Sequence, residues 1–159
     1  MVEKELHYRL ERIVPLNFEV IEHSEFNILD YLGSSNVHYN LIASTIPKVD
    51  DDTLFLDLEL DSQLKLDENQ YKLYKIKIRY VFSIKGINNF VNDGYLEIPR
   101  NYKITFFNMS YSALRGILFE KLSPYRYKDL LLPMIDSYQA IPDDHKIRIP
   151  YQEDNEELK

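Results

Sequence analysis

The chain of 159 residues has no cysteine, no tryptophan and only four glycines. Without cysteine there are no disulfides and no thiolate metal ligands, a composition that fits a reducing compartment. Four glycines leave little material for a phosphate-cradling loop, and neither a Gly-rich nucleotide signature nor a G-x-S-x-G nucleophile turn is found. Apolar runs are short: the longest, "LLLPMI", falls far below the roughly 20 residues that a membrane helix takes. "MVEKEL" at the start shows no apolar leader region. A cytoplasmic protein without membrane insertion is therefore expected. Positive charge is also scarce, with 19 Lys and Arg against 26 Asp and Glu and a net charge of −7. That balance argues against nucleic acid, whose affinity rests on cations meeting phosphate. His7, His23, His38 and His145 lie far apart with no paired metal-ligand spacing. The run Asp50, Asp51, Asp52 lacks the glycine and spaced ligands of a calcium loop. No catalytic residue, metal or cofactor is expected, and the chain is not read as an enzyme.

What is present is ample for a core: 45% of residues are hydrophobic, and the length suits one domain. The reading is a single domain over residues 1–145, followed by an acidic, flexible tail over 146–159 that contains "YQEDNEELK". The clearest pattern runs from Leu54 to Leu66. Leu54, Leu56, Leu58, Leu60, Leu64 and Leu66 fall on one parity, while Asp57, Glu59 and Asp61 fall on the other, as in a strand with one dry face. Tyr74, Ile76, Ile78, Tyr80, Phe82 and Ile84 repeat the pattern opposite Lys75, Lys77 and Arg79, with "DENQ" as turn material between. An antiparallel hairpin follows, with three carboxylates facing three cations. Keeping both apolar faces together requires paired positions with an even number sum, hence an odd-length turn or a bulge. The acidic positions Asp57, Glu59 and Asp61 are read either as a solvated sheet face or as a docking face for a partner.

Further strands are expected at "RIVPLNFEVIE" (12–22), "VHYNLIAS" (37–44) and "YKITFF" (102–107), the last leading into a helix capped by Asn108 or Ser110. Strands first and helix last make an α+β layout. In "SALRGILFEKL" (112–122), Leu114, Ile117, Leu118 and Leu122 share one helical face. Ala113 and Gly116 make a small patch beside it, and Tyr111, Arg115 and Phe119 stack along a third line. Glycine in a helix interior costs about 1 kcal/mol relative to alanine. Gly116 therefore marks close approach, either to the chain's own sheet or to a second subunit, and Arg115 is expected to reach a carboxylate or a carbonyl. Aromatics in the expected loops offer rigid, amphipathic contact area suited to peptide binding. The candidate binding residues are Phe90, Tyr95, Leu96, Tyr125, Tyr127 and Tyr138.

Phe82, Ile84 and Gly86, then a variable insert, then Tyr111, Ala113 and Arg115, then Leu132, Pro133 and Ile135 give an order that resembles the SecB and SecB-like protein-export chaperones over roughly residues 53–141. The helix of that family often opens on proline, which "NMSYS" lacks. The resemblance implies a four-stranded antiparallel sheet with two helices packed on one face, assembled through the long helix as a dimer of dimers. Ala113, Arg115, Gly116 and Phe119 would lie at that contact. It also implies an ATP-independent holdase that takes unfolded or pre-export polypeptides into apolar surface grooves. The Sec translocase motor or an antitoxin would be further partners. The alternative is a non-catalytic interaction module of the same fold that binds one specific partner.

Overall fold

Residues 5–142 and 146–149 are described by the computed structural model. The hairpin comes first in the physical argument, because its alternation is the strongest local instruction in the chain. Thr53–Leu66 (β3) and Asn69–Lys85 (β4) pair antiparallel, and the leucines of one and the isoleucines of the other are buried on a shared face. Asp57 pairs with Arg79, Glu59 with Lys77 and Asp61 with Lys75, as the charge pattern requires. The turn has two residues, and Asp67 adopts a left-handed backbone (φ 54°), which aspartate tolerates better than most residues. An even turn alone would place apolar positions opposite charged ones. A bulge corrects this: Gln63 pairs with Lys72 but Ser62 with Tyr74, leaving Leu73 as the extra residue.

Val37–Lys48 (β2) joins the free edge of β3, and His7–Val20 (β1) joins the free edge of β4, giving the order β1-β4-β3-β2. Both are longer than the alternation in sequence suggests. The crossover between them buries Ile28 in a short 3-10 turn, Ile28–Tyr31. Two-residue strands Val91–Asn92 (β5), Tyr95–Leu96 (β6) and Ile147–Arg148 (β7) build a second, three-stranded sheet. Leu96 pairs with Ile147 and both are buried. The folded unit thus continues past residue 145. The rest of the expected tail, 150–159, and His145 lie outside the described residues.

The largest departure from expectation is at 102–107. This segment is no strand but part of one helix, Arg100–Leu122 (α1), with Pro99 at its N-terminus. Neither Asn108 nor Ser110 caps it; Ser110 is fully buried within it. Tyr102, Ile104 and Phe106 alternate, but Ile104, Phe107, Tyr111, Leu114, Leu118 and Leu122 recur at three- and four-residue steps. The longer helical phase wins, because it buries the whole line. Pro99 precedes the helix as its N-cap (φ −54°, ψ 142°) and gives it no side-chain capping bond. The second helix is reduced to four residues, Ser137–Ala140 (α2), capped by Asp136, which accepts from Tyr138 N. Pro142 stops it, since the residue before a proline is pushed out of the helical region. This turn touches α1 but is only four residues long, so two helices are not clearly packed on one face.

Candidate functional site

Three surfaces are positioned by this frame. The first is the outer face of the main sheet. Arg79 donates from Nε and Nη2 to the two carboxylate oxygens of Asp57, both at 2.8 Å, and Asp57 is only 5% exposed. Lys75 Nζ lies 2.6 Å and Lys77 Nζ 3.4 Å from the two Glu59 oxygens. The hydrogen bond from Lys75 is the main reason that the Glu59 carboxyl titrates below its ordinary value; the same bond raises Lys75. Phe55 sits among these cations, with the Arg79 guanidinium 4.9 Å and Lys48 Nζ 5.5 Å from its ring centre, favourable cation–π geometry. The charges of Asp57 and Glu59 are therefore met by neighbours on the next strand, and Asp57 is barely accessible.

The second surface is the outward side of α1. Gly116 and Phe119 are exposed there, Ala113 and Arg115 half-buried. A Cβ placed on Gly116 would meet nothing within 4 Å, so packing on the chain's own sheet does not explain this glycine. Among the described residues Arg115 reaches no carboxylate or carbonyl, contrary to expectation: its Nη1 donates to Met134 Sδ at 3.0 Å. The Tyr111 hydroxyl donates to Pro133 O at 2.8 Å and holds the Leu132–Pro133 corner against the helix. Between helix and corner lies an open cleft of about 210 Å³ lined by Arg115, Gly116, Phe119, Lys128 and Leu131, among others. Phe119 is 63% exposed, Leu131 67% and Met134 81%, so an apolar patch faces water along the C-terminal half of the helix.

The third surface lies where the sheet, the start of α1 and the C-terminal segment meet. An apolar cleft of about 180 Å³ is lined there by Ala43 and Thr45 of β2, Leu54 and Leu56 of β3, Phe106 of α1 and Ile147 of β7, among others. Sequence reasoning passes over it. The available signal is the pair of small side chains, Ala43 and Thr45, on the inward parity of an otherwise large-residue strand.

The six aromatic and aliphatic candidates divide. Tyr95 and Tyr138 are exposed. Arg100 Nε donates to Ile141 O at 3.0 Å, its Nη2 donates to Tyr138 O, and its guanidinium lies 5.7 Å from the Tyr138 ring centre. Phe90 is half-buried beside β5. Tyr125 lies elsewhere, edge-on to Phe18 of β1 at 6.3 Å. Leu96 and Tyr127 are core residues and offer no surface. Leu96 fills the junction of the two sheets, and the Tyr127 hydroxyl donates to Ile21 O at 2.6 Å while accepting from His23 N at 3.3 Å. Burial pushes the pKa of Tyr39, Tyr74, Tyr80, Tyr111 and Tyr127 above the ordinary phenol value, so these phenols stay neutral across the physiological range. Among the described residues, no helix is long and apolar enough to cross a membrane. The chain matches no protein-family model and no curated protein.

Proposed function

We propose that the chain is an ATP-independent holdase that binds unfolded polypeptide, assembled from several copies through the outward side of α1. The observation that carries this reading is the apolar surface left in water. The fold buries a continuous core, yet leaves Phe119, Leu131, Met134 and Tyr138 more than half exposed. Exposed apolar patches of this kind mark interaction sites. Methionine and tyrosine adapt to varied partners, through flexibility in one case and an amphipathic ring in the other. The resemblance to the SecB-like chaperones supports the same reading through the four-stranded antiparallel sheet. On this reading Gly116 is small so that the α1 helices of two copies can cross closely, and the cleft at the start of α1 receives client side chains.

The test is light scattering from a chemically denatured, slow-folding protein diluted into buffer with rising amounts of the chain and no ATP. Suppression saturating near one client per oligomer is expected. No suppression at a several-fold excess would overturn the holdase reading in favour of a module for one folded partner, such as an antitoxin, recovered as a single saturable complex.

A further inference from the structure

The two edges of the main sheet are built differently. Edge strands are open templates for a further strand, and proteins usually blunt them with charge, proline and bulges. β1 has all three: Arg9, Glu11, Arg12 and Glu19, Pro15, and register shifts at Leu10/Arg12 and Pro15/Asn17. β2 has almost none of this. From Val37 to Ile46 it carries no Asp, Glu, Lys or Arg, its pairing to β3 runs without a shift, and its one proline, Pro47, comes at the end. Among the described residues no strand pairs with its outer edge; β7 lies beside it but pairs with β6.

The parity of the open edge follows from one hydrogen bond. Lys65 N donates to Asn36 O, and the register is unbroken, so the even-numbered residues of β2 direct their backbone groups at β3. The odd-numbered residues, Tyr39, Leu41, Ala43 and Thr45, direct theirs outward. The same odd residues carry their side chains on the inner face, and Ala43 and Thr45 line the 180 Å³ cleft.

We infer that the outer edge of β2 is a strand-addition site that takes an extended, uncharged polypeptide segment, with one aromatic or large aliphatic side chain of that segment seated in the cleft beside Ala43 and Thr45. An added strand continues the pleat, so every second side chain falls on the inner face. The one opposite Ala43 or Thr45 meets walls that are apolar apart from Thr45 and Lys103, in a space close to that of a cavity of about 150 Å³ known to hold a benzene ring. Backbone pairing supplies affinity indifferent to sequence, and the cleft supplies the preference. The occupant is uncharged because neither face of β2 between Val37 and Ile46 offers a counter-charge of its own. It is a segment rather than a second folded copy because one strand edge is small beside the roughly 1,200–2,000 Å² of a stable interface. This inference rests on the holdase reading and specifies how one client segment is held.

The experiment uses the full chain and a labelled peptide that alternates threonine and valine with one central phenylalanine, read by fluorescence anisotropy. N-methylating every second amide removes the donors of one parity. One methylation parity should weaken binding by about tenfold or more and the other should leave it unchanged, because only one set of amides faces β2. Replacing the central phenylalanine by alanine should weaken binding by about tenfold as well. Ala43→Pro, which removes an outward N–H and no bond to β3, should weaken the parent peptide, with circular dichroism confirming the fold. Equal effects of both methylation parities, or indifference to the phenylalanine, would overturn the inference. So would an absence of peptide binding with a concentration-dependent dimer abolished by Ala43→Pro, which would assign the edge to a second copy. Aggregation suppression without parity dependence sinks the strand-addition site and leaves the holdase standing. Parity-dependent binding without suppression does the reverse.

Discussion

Replacing Asp57 tests whether the outer sheet face is a structural network or a docking surface. Asp57 is 5% exposed and receives two parallel hydrogen bonds of 2.8 Å from Arg79, while the Arg79 side chain keeps 32% of its surface in water. Breaking a fully buried pair costs about 3–5 kcal/mol, and an exposed pair contributes about 0.2–1 kcal/mol. This pair lies between the limits, with one partner buried and the other wet. Asp57→Asn should cost about 2 kcal/mol, since Arg79 is left with Phe55 and water. Arg79→Met should cost more, about 3 kcal/mol, because it strands a buried carboxylate while keeping an apolar stem over Phe55. The double variant should cost less than the sum of the two, the signature of direct coupling. The assay is urea unfolding at one fixed protein concentration, so that any assembly contributes equally to all four proteins. Asp57→Asn within about 0.5 kcal/mol of the parent, the range of an ordinary surface change, would refute the argument and return Asp57 to the candidate docking residues.

The pairing of Glu59 predicts a pH dependence. Its folded carboxyl titrates below the ordinary 4.5, so its stabilising effect is full above that value and is lost as pH falls through the folded value. The stability difference between the parent and Glu59→Gln should shrink from neutral pH toward pH 3, as measured by urea unfolding across that range. The Tyr80 hydroxyl is buried with no hydrogen-bond partner among the described residues, so Tyr80→Phe should be neutral or stabilise by about 1 kcal/mol; a loss of similar size in thermal unfolding would show that the hydroxyl is satisfied. Gly116→Leu should keep the monomer folded, because its Cβ enters open space, and should disrupt assembly in sedimentation velocity; unchanged assembly would remove Gly116 from the interface. Tyr127→Phe should cost about 1–2 kcal/mol by leaving Ile21 O and His23 N short of a partner, and a neutral result in urea would contradict its role as a core pin.

The hairpin of β3 and β4 and its facing sets of charges are legible in sequence because two constraints coincide there. Leucine and isoleucine parity sets the buried face, and the opposed signs of Asp57, Glu59 and Asp61 against Lys75, Lys77 and Arg79 set the register. The parity called for an odd-length turn or a bulge without choosing between them; the two-residue turn and the bulge at Leu73 are what the structure adds. The start of α1 was not legible by the same means. Tyr102, Ile104 and Phe106 satisfy the strand pattern over six residues, and only continuation to Leu122 shows the helical phase. The burial of Leu96 and Tyr127 depends on segments distant in sequence, Ile147 for one and Ile21 with His23 for the other. No local pattern encodes such contacts. The same holds for the cleft, which needs β2, β3, α1 and β7 together. The charges on the sheet were visible, but their mutual neutralisation depends on side-chain geometry, as in the diagonal reach of Lys75 to Glu59 rather than to Asp61 opposite.

The claim at the centre of this account is that the exposed apolar surface captures unfolded chains. The most direct test is isothermal titration of the protein with a permanently unfolded, carboxymethylated polypeptide at several temperatures without nucleotide. Saturable binding with a negative heat-capacity change is predicted, because burial of apolar surface carries that sign. An absence of binding heat at every temperature, with the chain folded throughout, would contradict it.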